Sequence, residues 1–195
     1  MLRRVFVVVC ATLFLSLAAS AQESSQPGSQ PPDVSEQFSA TGFIESGSAA
    51  GKNLGVNIYV NSYTTDEERN NFLDILKKQG QDGLERAFDK AKERGRIAVT
   101  GSTGNTVPYI RSQNAETRRI IRMATNRIMS FAELSQSPRS RDYKFTIVEL
   151  RLDASGNGDG TIFYATKVKF DKNGELVLEH FAQKPIRLAN VRKQK

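Results

Sequence analysis

The chain has 195 residues, with 28 Lys and Arg against 21 Asp and Glu, a net charge of +7, one histidine and one cysteine. That length suits one domain with a sizeable core. One cysteine and one histidine exclude an internal disulfide framework and a zinc site built from Cys and His, while the basic excess favours anionic partners.

Residues 1–21 read as an export signal. Arg3 and Arg4 precede an apolar run from Val5 to Ala18, interrupted by Thr12 and Ser16, and Ala19, Ser20 and Ala21 form a small-x-small cleavage pattern before Gln22. The run is short for a membrane span, so no transmembrane anchor is expected after cleavage. Cys10 follows Val9 rather than a small residue, is not read as a lipidation site, and leaves with the peptide. A cysteine-free remainder fits a bacterial periplasmic or secreted protein. The expected partner is then an anionic envelope polymer or lipid, not nucleic acid.

Residues 22–36 are rich in Gln, Ser and Pro and nearly free of apolar side chains, the composition of a disordered linker. Residues 37–195 read as a single domain. A strand is expected from Phe38 to Ile44, and the alternation of Leu54, Val56, Ile58 and Val60 predicts a second. The intervening GSAAGKN resembles a phosphate-binding loop only superficially. Its glycine spacing is short, Asn53 stands in place of Ser or Thr, and no helix follows.

Thr65 and Glu68 have capping-box spacing, with Phe72, Ile75 and Leu76 on one helical face and Gly80 as a stop. Asp82 and Glu85 repeat that spacing before Leu84, Ala87, Phe88 and Ala91. An αα-hairpin over residues 66–94 is expected, covering the sheet or lidding a cavity. Ile97 and Val99 predict a strand, and Val107, Tyr109 and Arg111 another. Between Thr117 and Leu134 the apolar spacing fits helix and strand alike.

Four strand-like runs fill the rest of the chain. Phe145 and Ile147 lie on one parity and Val148, Leu150 and Leu152 on the other, which requires either a bulge or a strand covered on both faces. Ile162, Tyr164, Val168 and Phe170 predict one shared apolar face, an Asn173-Gly174 turn follows, and Leu176, Leu178, Ile186 and Leu188 continue the pattern. The fold class is therefore α+β: a curved or barrel-like antiparallel sheet of about seven to nine strands with an inserted αα-hairpin.

RRIIRMATNRIMSFAE (118–133), PRSRDYKFTIVELRLD (138–153), the glycine run 156–160 and PIRLANVR (185–192) together resemble a group of exported bacterial proteins from soil lineages with no assigned activity. The resemblance reaches back to about Tyr63 and implies that residues 63–192 form one module. It favours a strand over 121–128, where the group more often ends at a proline and this chain has Ile128. It implies no cofactor and no catalytic residue.

The candidate chemistry is sparse. Arg118, Arg119, Arg122 and Arg127 could present a guanidinium row to carboxylate or phosphate groups. As a strand, Arg118, Arg122 and Asn126 would share one face, and Arg119, Ile121 and Met123 the other. His180 and Glu149 are candidate ligand contacts, and with Asp153 they are the residues an acid–base hydrolase would use. Asp153, Ser155, Asn157, Gly158 and Asp159 partly imitate a calcium loop, but Tyr164 stands where the closing carboxylate belongs, so no metal site is expected. No cofactor is expected, and Ser46, Ser48 and Ser102 lack a nucleophile elbow. The leading function is a non-catalytic envelope binding or structural module. The alternatives are a carrier of an amphiphile in a half-open barrel lidded by the helices, requiring an apolar cavity of about 300 Å³, and an acid–base hydrolase.

Overall fold

The computed structural model describes residues 35–47, 49–127, 142–180 and 184–194, with the side chain of His180 outside the description. The expected export signal, residues 22–34 of the expected linker, and residues 128–141 also fall outside it.

The order is β1 (Glu36–Phe43), β2 (Asn53–Val60), α1 (Asp66–Lys90), β3 (Gly95–Val99), β4 (Asn105–Val107), β5 (Tyr109–Ala115), β6 (Arg118–Thr125), β7 (Phe145–Leu152), β8 (Gly158–Phe170), β9 (Leu176–His180) and β10 (Ile186–Lys193). Ten strands, more than the seven to nine expected, form one antiparallel sheet in the order β4-β3-β2-β1-β10-β8-β7-β6-β5, with β9 added to the far half of β8. The two ends of that order, β4 and β5, are consecutive in the chain and meet at Pro108. The sheet thus curls into a nearly closed barrel, and Thr125 Oγ1 donates to Thr106 O across the seam at 2.8 Å.

Alternation fills the barrel. Phe38, Val56, Ile58, Ile97, Ile110, Ile121, Leu150, Ile162 and Leu188 are buried in one interior cluster. β1 starts at Glu36, a residue read from sequence as the end of the linker, and its side chain is only 2 % exposed. Two interruptions redirect the pattern. Val107 points into the barrel while Tyr109 belongs to a second, outer cluster, because Pro108 splits the single strand expected there. In β8 the register against β7 slips by one residue between Phe163 and Thr166, and Ala165 takes φ 51°. This β-bulge reverses the alternation. Ile162 and Tyr164 face the barrel interior, whereas Val168 joins the outer cluster with Phe170 packed against it. The common face expected for these four residues is therefore two faces. β7 is the strand covered on both sides: Val148, Leu150 and Leu152 inside, Phe145 and Ile147 outside.

The outer cluster is the floor on which α1 rests. Thr65 caps the helix with a full capping box, its hydroxyl accepting from Glu68 N (3.2 Å) while Glu68 accepts from Thr65 N (2.9 Å). As expected, the helical span breaks at Gly80, whose φ 66° and ψ −163° lie outside helical geometry, so α1 consists of two helical arms that meet at a kink there. Asp82 and Glu85, expected to cap a second helix, instead accept from Lys144 Nζ at 2.9 and 2.6 Å and tie the span to the sheet. Gln81 adds a tether by accepting from Val168 N at 3.1 Å. Among the described residues, no helix is long and apolar enough to cross a membrane.

Candidate functional site

A cavity of about 260 Å³ lies between α1 and the outer face of the sheet. Helix residues Phe72, Leu76, Leu84 and Phe88 form its roof, and Ile120, Ala124, Phe145, Ile147 and Val168 form its floor. Strand period explains the floor. On β6, Ile121, Met123 and Thr125 are buried, so Ile120, Arg122 and Ala124 project outward beneath the helix. Edge-to-face rings stiffen the wall: Tyr109 to Phe72 at 6.2 Å, Phe72 to Phe88 at 5.1 Å and Phe88 to Phe145 at 5.7 Å between centroids.

β9 supplies an overhang. Leu176 pairs with Phe170 and Leu178 with Val168, which sets both leucines on the helix-facing side. Both line the cavity, yet they remain 49 % and 46 % exposed. Two half-exposed leucines at the mouth of an apolar cavity leave surface for an apolar guest to cover.

The polar end carries three guanidiniums, Arg69, Arg111 and Arg122, together with Gln113. Burial pushes the pKa of the Tyr109 hydroxyl up, and the charges of Arg111, Arg69 and Arg122 oppose that rise, so all three cations act on one corner of the site. Asp66 answers Arg111 at 2.7 Å, and Glu149 answers Arg122 at 2.8 Å. Arg69 donates to Asn70 and, among the described residues, has no carboxylate partner.

Of the candidate site residues expected from sequence whose side chains are described, Arg122 alone lines this cavity. Arg118 pairs with Asp159 at 3.6 Å and Arg127 with Asp89 at 3.7 Å, both at the surface. Arg119 lies on the opposite face of β6, as the strand reading implies, and grips Glu36 with both terminal nitrogens at 2.8 and 2.7 Å. Lys193 and Tyr63 complete that cluster at the barrel rim. Burial by itself raises the Glu36 pKa, but hydrogen bonds from Arg119, Lys193 and Tyr63 outweigh it and hold the carboxyl at about 2. Burial and the bond to Glu36 push the Tyr63 hydroxyl well above its ordinary value.

Glu149 is held between Arg122 and Arg151, the latter at 3.3 Å. The expected calcium-like loop is a tight turn. Asp153 Oδ1 accepts from Ser155 N, Ser155 Oγ and Asn157 N at 2.6–3.0 Å, which lowers its pKa, while Asp159 turns to Arg151. The backbone of His180 pairs with Thr166 on the far half of β8, and its side chain lies outside the described residues. Sequence reasoning missed Arg69, Arg111 and the roles of Leu176 and Leu178. Arg111 was visible only as a residue alternating with Tyr109.

Comparison with protein-family models, curated proteins and solved structures yields no match.

Proposed function

We propose that the chain is a non-catalytic binding module, exported through residues 1–21, that holds a small amphiphile in the cavity between α1 and the sheet. The observation that carries this reading is the cavity itself: about 260 Å³, apolar on roof and floor, and fringed by half-exposed leucines. Its volume lies just under the range of about 300–1,000 Å³ usual for drug-sized ligands, so the guest is a single short chain rather than a two-tailed lipid. The helical span acts as the lid, with two arms hinged at Gly80 and the second arm pinned by Lys144. In an exported protein this makes a carrier or sensor of amphiphiles in the envelope. An acid–base site receives less support, because Glu149 is braced by two arginines and Asp153 by its own turn.

The test is binding of N-phenyl-1-naphthylamine, a neutral apolar fluorophore. Ala124, on the cavity floor, is partly exposed to that space, so Ala124→Phe fills it from below. Saturable fluorescence enhancement is expected for the native chain and a loss of at least tenfold in affinity for the variant. Equal binding by both would place the probe elsewhere and refute the reading.

A further inference from the structure

We infer that the guest's head is a single-charged carboxylate, read by the guanidinium of Arg111. This rests on the cavity being the ligand site. Arg111 is 9 % exposed, lines the cavity, and keeps its Nη1 on Asp66 at 2.7 Å and on the Thr64 carbonyl at 3.3 Å. Its Nε is fully buried and has no hydrogen-bond partner, alone in this among the side chains of the described residues. A buried donor without an acceptor is costly, and more so when it belongs to a charged group. Nε–H is also one prong of the side-on fork with which a guanidinium holds two coplanar oxygens. An oxyanion at this end of the cavity satisfies that donor once the guanidinium turns its buried edge toward the guest, while the chain behind the head lies on the apolar floor.

The charge balance selects the kind of head. Arg69, Arg111 and Arg122 meet the carboxylates of Asp66 and Glu149, and Arg151, which shares Glu149, is answered by Asp159, so the corner has one cation in surplus, that of Arg69. One surplus charge matches a monoanion, and a dianionic phosphate monoester would leave one charge uncompensated in a partly buried place. Arg69 is on the first helical arm, so closing the lid over the guest brings the surplus charge with it.

Calorimetric titration of the chain with decanoate, 1-decanol and decyl phosphate at pH 7.5 separates the outcomes. Decanoate is expected to bind at least tenfold more tightly than the alcohol and more tightly than the phosphate. Arg111→Lys keeps the charge but removes the fork, and should shrink the acid-over-alcohol ratio to about twofold or less. Should that variant fail to fold, Arg69→Gln, at a half-buried helix position, serves instead and should reduce the ratio several-fold. Equal affinities for acid and alcohol in the native chain, or a ratio unmoved in both variants, overturns the head assignment and leaves the cavity reading standing. A preference for decyl phosphate overturns the monoanion. If none of the three binds, the cavity reading falls, and this inference falls with it.

Discussion

Glu36→Gln tests how the barrel is closed at its rim. The Glu36 carboxylate accepts from Arg119 on β6, Lys193 on β10 and Tyr63 after β2, so one side chain of β1 joins four parts of the chain. Its pKa falls from an ordinary 4.5 to about 2, because these donors outweigh the burial that opposes ionisation. The folded value lies below the unfolded one. The stabilisation is therefore complete above about pH 4.5 and disappears as the pH falls through about 2. At 1.36 kcal/mol per pH unit the depression corresponds to about 3 kcal/mol, and partial exposure of Arg119 and Lys193 trims this to roughly 2–3 kcal/mol. The amide cannot carry the charge, and it turns a donor toward Arg119. Urea unfolding should show the variant less stable by that amount at pH 7, with the gap closing steadily between pH 4.5 and 2. A gap that stays constant over this range, or stays below about 0.5 kcal/mol at pH 7, would refute the reasoning.

Three further outcomes follow from the same geometry. Gly80→Ala meets no neighbouring atom within 4 Å, yet φ 66° with ψ −163° is a conformation essentially reserved for glycine; thermal unfolding should show a loss of about 1–3 kcal/mol. Leu176→Ser with Leu178→Ser removes side chains already half exposed, so stability should change by less than about 1 kcal/mol while affinity for N-phenyl-1-naphthylamine drops severalfold. Phe145→Ala empties a fully buried ring site beneath the helix, and chemical denaturation should register a loss of about 3–5 kcal/mol.

The residues differ in how openly they announced their places. Leu54 to Val60 and Ile186 to Leu188 alternate against a single covered face, so period alone assigns them. Asn173-Gly174 signals its turn by composition, and Gly174 indeed takes φ 79°. Ala165 gives no such sign. An alanine at φ 51° carries no residue-type signature, so the alternation from Ile162 to Phe170 reads as continuous although the bulge divides it between two clusters. The arginine row shows the same limit. Strand period correctly separates Arg119 from Arg122, but their partners lie 83 and 27 residues away and cannot be read locally. Arg111 was hidden for that reason: its partner Asp66 and its unsatisfied Nε exist only once the helix lies across the sheet.

The cavity reading is tested most directly by heat-capacity calorimetry of 1-decanol binding to the native chain and to Ala124→Phe. Burial of an apolar chain under α1 should give one saturable site with a negative heat-capacity change, and the variant should abolish both. No saturable site in the native chain, or the same heat-capacity change in the variant, would contradict it.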